Sequence, residues 1–339
     1  MKIVLCCTRN WYIYLKVVVY SILENNKVDK IYLIIEDDEI PYIDNVEFIN
    51  INKIKNYVDS ESPNYNTQYS KMSYIRCYFT KILKEDKIIY IDTDTIVNGS
   101  IEELWNMDLE DNVIGGVKEG GEWNRHLNTT GLDGKYVNSG MLIMDLKKIR
   151  EEGLDDSMIY LLNHNYYAYP DQDVINLVCR NRIKYIDNKY NSTETTGIVK
   201  NAVIVHYIRG RKGWIKESPR SEIWYYYHNK MIKEENMEKY VVKAIKRFND
   251  YEGRNIEGED FKERNVGDEF ECDKERYLYL KEHNAVELVE MIPEKQKIKE
   301  EAKVEDKEDE KPVFNASLYD TKKVEVKSKP SKKKIEKIK

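Results

Sequence analysis

Lys87-Ile-Ile-Tyr-Ile-Asp-Thr-Asp94 is the stretch that decides the fold of this 339-residue chain. Four apolar or aromatic residues run straight into two acids separated by one residue. An unbroken apolar run of this length marks a strand buried on both faces, as in a parallel sheet. Alternate residues of a strand share a face, so Asp92 and Asp94 are expected to point the same way. They would stand at the carboxyl end of the strand, where open α/β sheets bind ligands. A strand end followed by an Asx turn into Asn98-Gly99 would leave the same letters.

Working outward, Ile3–Cys7 and Ile31–Ile35 read as two more buried strands, and Val46–Ile51 alternates like a third. Asn10 is placed to cap the intervening helix, in which Tyr14, Leu15, Val17, Val18 and Ile22 recur at helical spacing. Tyr69–Leu83 reads as a helix leading into the acid-bearing strand. Beyond Asp94, Ile101–Met107 reads as a short helix and Val113–Val117 and Tyr136–Met144 as strands. Asp171–Arg182 reads as a helix, Ile183–Ile186 as a strand, Ala202–Tyr207 as the last core strand and Ile223–Met231 as an aromatic helix. This alternation implies an α/β fold, a sandwich around a mostly parallel sheet, over residues 1–234.

The composition shifts near Glu234. Residues 235–264 read as a charged helical linker. Residues 265–292 read as a small strand-helix-strand module, with Asp273 as the cap of Lys274–Glu282 and Val286–Val289 as the returning strand. Residues 293–339 are Lys/Glu-rich with few large apolar side chains and are expected to be disordered.

The net charge is −6, which argues against a globally basic nucleic-acid binder. Five cysteines, at positions 6, 7, 77, 179 and 272, form no CxxC pair and fit reduced thiols in a cytoplasmic protein. Cys6 and Cys7 read as small core residues. No uncharged apolar run reaches the roughly 18 residues of a membrane span, so a cytosolic protein or one held at a membrane surface is expected.

Four features carry chemistry. Two carboxylates at one point, Asp92 and Asp94, repel unless a cation neutralises them. His206 ends the apolar run Val203-Ile-Val-His206 and precedes Arg209-Gly-Arg-Lys-Gly213, where glycines admit a ligand to the backbone and cations match phosphate oxygens. Two carboxylates and an imidazole suit Mn²⁺ or Mg²⁺, Mn²⁺ better because of the nitrogen. Asn138-Ser-Gly140 interrupts an apolar strand, as a bulge or a close backbone approach would. Pro170-Asp-Gln-Asp173 opens a helix with acids near its positive end.

Taken together, in order and rough spacing, these features resemble glycosyltransferase family 8, the family of glycogenin and the bacterial lipopolysaccharide galactosyltransferases. The resemblance covers about residues 1–230 and includes Thr8-Arg-Asn-Trp-Tyr12 and Tyr74-Ile-Arg76. It implies a GT-A fold, a Rossmann-like α/β/α sandwich, with a divalent metal, a UDP-sugar donor of glucose or galactose and retention of anomeric configuration. Asp92, Asp94 and His206 would bind metal, and Asp92 and Thr93 would neighbour the ribose. Thr8, Asn10 and Trp11 would line the uracil and ribose pocket. Arg76, Asn138 and Ser139 would contact the sugar or diphosphate. Asp171 would bind sugar hydroxyls, Gln172 would lie beside the anomeric carbon, and these two are the catalytic candidates. Gly210 and Lys212 would bind the diphosphate. Two departures stand out: Arg209 fills a position where the family commonly has Gly, and Gly213 replaces its Pro. The acceptor implied is a glycan, a lipid-linked sugar or a protein.

The strand-then-DxDxT pattern Ile88–Thr95 also matches a haloacid-dehalogenase-like phosphatase with Asp92 as nucleophile, although a β-α-β stretch precedes it and the downstream acidic motif is missing. A catalytically silent sugar-binding scaffold is the third reading. Asn265–Met291 resembles a small module at the ends of phage structural proteins. Lys322–Lys339 is basic, with Glu325 and Glu336 as its acids. It would attract an anionic membrane surface weakly, but it lacks the aromatic and leucine anchors of an interfacial helix.

Overall fold

A computed structural model of the chain describes residues 1–36, 43, 45–53, 58–120, 132, 135–237, 239–251, 261–272 and 274–292. The expected cap Asp273 and the expected disordered tail 293–339 lie outside the described residues.

The apolar runs become strands where their patterning requires. β1 (Lys2–Cys7), β2 (Lys30–Ile35), β3 (Val46–Asn50) and β4 (Lys87–Ile91) are mutually parallel neighbours. A seven-stranded sheet is completed by β6 (Ile114–Lys118), β7 (Val137–Asp145) and β8 (Ile183–Ile186), in the order β3-β2-β1-β4-β7-β6-β8. β7 runs antiparallel to both neighbours, while β8 is parallel to β6. The sheet is therefore mostly parallel, as the continuous apolar runs implied.

Side chains alternate between two cores. Val4, Cys6, Ile88 and Tyr90 enter one, under the segment 71–82; Ile3, Leu5, Cys7, Ile89 and Ile91 enter the other, with Leu15, Val18 and Ile22 of α1 (Tyr12–Asn25). Because Asp92 is two residues beyond Tyr90, it inherits the first face.

Four expectations change. Asn10 does not cap α1: it lies exposed in a 3₁₀ turn at Arg9–Trp11, and Trp11 occupies the cap position. Tyr69–Leu83 is not one helix but α2 (Lys71–Tyr74), a 3₁₀ turn (Ile75–Tyr78) and α3 (Phe79–Ile82). The tighter turn rotates Arg76 inward, and its guanidinium bonds the Ser73 carbonyl at 2.8 Å, so side-chain contacts override the helical spacing.

Ala202–Tyr207 is not a strand of the central sheet. β9 (Ile204–His206) pairs antiparallel with β5 (Thr95–Val97), placing His206 opposite Thr95. The backbone of β5, freed from the main sheet after the turn at Thr93, supplies the partner. Finally, the described residues of 235–264 do not form a helical linker. The helix Ser221–Met237 extends past the aromatic stretch, and β10 (Lys239–Ala244) then forms the middle strand of a second sheet, between β13 (Glu269–Cys272) and β14 (Val286–Ile292). A hairpin of β11 (Phe248–Tyr251) and β12 (Phe261–Arg264) lies between them in the chain. Tyr240, Val242 and Ala244 alternate inward against Phe270, Tyr277 and Leu280, so burial of one strand face outweighs the flanking charges that suggested a helix. Within 265–292 the chain forms β13, a helix at Lys274–Glu282 and β14, and the sheet of the two strands includes β10 between them.

Candidate active site

The acids follow β4 directly. Asp92 N–H donates to the Gly140 carbonyl of β7 at 2.8 Å, continuing the ladder one residue beyond β4. Pairing of β5 with β9 then carries His206 to the same point, and Tyr207 N–H closes on the Asp94 carbonyl at 2.9 Å. One side-chain atom from each of Asp92, Asp94 and His206 lies within 4.8 Å of the others. His206 Nε2 stands 3.1 Å from Asp94 Oδ1 and 3.8 Å from Asp92 Oδ2. Two carboxylates and an imidazole nitrogen converging this closely fit a divalent cation of the Mn²⁺ or Mg²⁺ kind, since oxygen donors suit hard cations and the nitrogen favours Mn²⁺.

Gly140 makes the convergence possible. A Cβ there would lie 2.2 Å from His206 Cε1 and 2.9 Å from Asp92 Oδ2. Both alternatives that the sequence offered are present: the close approach at Gly140, and a register shift against β6 that spans residues 138–141 of β7.

Each acid has its own cation. Arg76 Nη2 donates to Asp92 Oδ1 at 2.9 Å, and the Tyr90 hydroxyl donates to the same oxygen. Lys212 Nζ meets Asp94 Oδ2 at 2.5 Å. Burial works against the charge of Asp94, yet His206 and Lys212 hold its carboxyl below the usual carboxylate range.

Beside the acids lies a second buried cluster. The helix Pro170–Val178 begins with proline at its first turn and aims Asp171 and Gln172 at β7. Its docking is set by Asn176, whose side-chain amide exchanges two hydrogen bonds with the Val137 backbone, at 2.8 and 2.9 Å, as a strand neighbour would. Gln172 Oε1 accepts from Ser139 N–H at 2.9 Å. Ser139 Oγ donates to Asp171 Oδ2 at 3.1 Å, and Arg76 Nε lies 3.2 Å from the same oxygen. Burial raises the Asp171 carboxyl, against the pull of Arg76. Arg76 also donates to the Ser139 carbonyl and hydroxyl, so one guanidinium ties β4, β7 and the helix together.

The predicted residues Arg76, Asp92, Asp94, Ser139, Asp171, Gln172, His206 and Lys212 thus form one contiguous cluster. Trp11 joins it, with Lys212 Nζ 5.4 Å from its ring centre and Trp214 edge-on at 5.1 Å. Thr8 precedes the 3₁₀ turn and accepts from Trp11 N–H. Thr93 is half-buried between the two acids. Asn10 and Gly210 are exposed and stand outside this hydrogen-bonded network. Asn138 is buried, and its amide is engaged with protein: Nδ2 donates to Glu119 at 2.7 Å and Oδ1 accepts from Gly140 N–H and Asn191.

Sequence reasoning missed three participants. Tyr90 was read only as an apolar strand residue, although its position two before Asp92 signalled a shared face. Glu119 is buried, its carboxyl raised by burial against hydrogen bonds from Thr195 and Asn138. Asn191, fully buried, bonds His206 Nδ1 at 2.8 Å. Neither Glu119 nor Asn191 belongs to a motif.

The sequence profile described as glycosyl transferase family 8 matches residues 2–218. The chain belongs to glycosyl transferase family 8. Curated relatives include a putative glycosyltransferase of Haemophilus influenzae, 33% identical over 165 residues, covering 44% of this chain and 50% of that one. A lipopolysaccharide 1,2-glucosyltransferase of Escherichia coli K12 is 27% identical over 180 residues, covering 47% and 53%. The chain thus spans about half the length of these two relatives. Among solved structures, galactosyltransferase LgtC in complex with donor and acceptor sugar analogs superposes with a TM-score of 0.54 at 21% identity, covering 68% of this chain and 96% of that one. The likeness supports the expected GT-A fold. With a family 8 fold in place, the phosphatase reading of Asp92-Thr-Asp-Thr95 falls: the resemblance to its strand is local, and the chain around it is built otherwise.

As in the sequence reading, no described helix is long and apolar enough to cross a membrane.

Proposed function

We propose that this family 8 member is a retaining hexosyltransferase that moves glucose or galactose from a UDP-sugar to a glycan, lipid-linked sugar or protein acceptor, with Mn²⁺ at Asp92, Asp94 and His206. The convergence of those three side chains beside Lys212 carries the reading. A bound divalent ion would supply Lewis-acid neutralisation of the donor diphosphate.

The chain's own residues account for the rest. Lys212 leaves Asp94 for a diphosphate oxygen and stabilises the charge that develops there. Arg76 fixes Asp92 and Asp171 at constant geometry. Asp171 accepts hydrogen bonds from sugar hydroxyls, and Gln172, seated on Ser139, lies along the sugar face. The bond from the anomeric carbon to the β-phosphate oxygen breaks with its electron pair going to that oxygen, through an oxocarbenium-like state. The acceptor oxygen bonds the anomeric carbon on the same face, and its proton passes to the departing phosphate oxygen. Gln172 is an amide and a poor nucleophile, which favours this same-face route over a covalent intermediate.

The test is UDP release from a panel of UDP-sugars with Mn²⁺, with and without acceptor, alongside melting shifts with Mn²⁺ plus UDP. Release from UDP-glucose or UDP-galactose supports the reading. Indifference to every donor, with no melting shift, sinks it and leaves a silent sugar-binding scaffold.

A further inference from the structure

A chain of buried side-chain hydrogen bonds runs behind the metal site. Glu119 Oε1 accepts from Asn138 Nδ2 at 2.7 Å. Asn138 Oδ1 lies 2.8 Å from Asn191 Nδ2, and Asn191 Oδ1 lies 2.8 Å from His206 Nδ1. All four residues are buried. The direction of such a chain is ordinarily ambiguous, because amides flip and imidazole has two neutral tautomers. Here one link cannot flip. The backbone N–H of Gly140 points at Asn138 Oδ1 from 2.9 Å, and a backbone amide is always a donor.

That single donor propagates. Asn138 must present its oxygen to Gly140, so its NH₂ faces Glu119. Asn191 must then present NH₂ to the Asn138 oxygen, and its own oxygen faces His206. A reversed chain would oppose two donors at Gly140 and, with Glu119 ionised, two acceptors at Glu119. Protonating Glu119 would relieve only the second conflict. His206 Nδ1 therefore carries a proton, which leaves Nε2 as the nitrogen that faces Asp92 and Asp94 and can take a metal ion.

We infer that Asn191 is a positioning residue which locks His206 in the Nδ1–H tautomer and so prepares Nε2 as a metal ligand. This rests on the proposed metal site and goes beyond it: the His206 Nδ1 proton is set through two amides by the Gly140 N–H, with Glu119 ending the chain, rather than by a direct carboxylate partner. Residues that orient a metal-binding histidine typically matter about 10–100-fold to metal affinity.

The experiment uses full-length protein with ¹⁵N-labelled histidine. Long-range proton–nitrogen correlation of the metal-free protein at about pH 8.5, where model imidazole is neutral, reads the tautomer directly; a His206→Asn spectrum assigns the signal. The expected result is a proton on Nδ1, whether or not Asp94 keeps a second proton on Nε2. Mn²⁺ affinity, read by electron paramagnetic resonance without donor, is expected to fall about 10–100-fold in Asn191→Leu. Asn191→Asp, which still accepts from Nδ1–H although it loses the donor to Asn138 Oδ1, should bind Mn²⁺ more tightly than Asn191→Leu. A wild-type ring with no proton on Nδ1 overturns the inference, as does a folded Asn191→Leu that binds Mn²⁺ within twofold of wild type. If Asn191→Leu does not fold by circular dichroism, the wild-type spectrum decides. A wild type that binds no Mn²⁺ ends the positioning role together with the metal reading, whereas Nδ1–H in wild type with undiminished affinity in Asn191→Leu ends the role alone.

Discussion

The wall of the site made by β4, β7 and the helix at Pro170 differs from the arm that runs from His206 to Trp214. On the wall, Arg76, Ser139, Asp171 and Gln172 are buried and bonded to one another across three elements. On the arm, Arg209, Gly210 and Arg211 are exposed, and Arg209 sits at φ 59°, a conformation that a side-chain-bearing residue seldom adopts. Lys212 is held by Asp94 and the Tyr207 carbonyl, with no bond to the wall among the described residues. The contrast fits the tasks proposed above. A sugar whose hydroxyls must be told apart needs fixed partners, whereas a diphosphate that enters and leaves needs a cation able to move.

The strongest way to break this contrast is Arg76→Leu. It would leave Asp92 and Asp171 without their shared guanidinium inside the wall, and removing one partner of a buried pair costs about 3–5 kcal/mol. Loss of about 3 kcal/mol in chemical denaturation, with activity abolished, is expected. Lys212→Met on the arm should behave oppositely: stability within about 1 kcal/mol of wild type, as for a partly exposed pair, and UDP release reduced about 100-fold. Equal destabilisation by both would erase the distinction.

Much of the sheet that carries the wall was legible in sequence because burial on both faces forces unbroken apolar runs, and Ile3–Cys7, Ile31–Ile35 and Ile88–Ile91 have them. The acids and His206 were legible because they interrupt or end such runs. Glu119 and Asn191 were not, since each gains its meaning from a contact 15 or more residues away. The same cause hid β10: Lys239-Tyr-Val-Val-Lys-Ala244 has charges that suit a helix surface, and only pairing with β13 and β14 makes it a strand. Arg76 was found by resemblance, but its 3₁₀ turn was not, because the turn follows from contacts of the guanidinium with β4 and β7.

Asp171→Asn sharpens the wall's side of the comparison. Burial raises the Asp171 carboxyl above its ordinary value, so the charged form is less favourable in the folded state than in the unfolded one. The resulting destabilisation is present above the raised folded value and vanishes as pH falls below the ordinary range. The variant's melting temperature relative to wild type should therefore be higher at pH 7 than near pH 3.5, while transfer activity is lost. A difference that does not change with pH would point to repacking rather than to charge.

The smallest expected effect tests how the arm is anchored. A Cβ on Gly213 would stand 2.8–2.9 Å from Trp224 Cβ, Cγ and Cδ1, so this residue lies flat against the indole. Trp224 is itself packed in the core that joins α1 to β5 and β9. Gly213 follows Lys212, and this contact therefore sets where the arm turns back from the diphosphate side. Gly213→Ala must push the arm off the ring by several tenths of an ångström. The wall is untouched but Lys212 is displaced, so kcat and kcat/KM should fall together, about tenfold, as when a group that stabilises developing charge is moved. Pairing Gly213→Ala with Trp224→Leu removes the obstructing ring and should recover part of the loss. Additive losses in the double variant would mean that the arm is held elsewhere, and the contact with Trp224 would lose its role as the anchor.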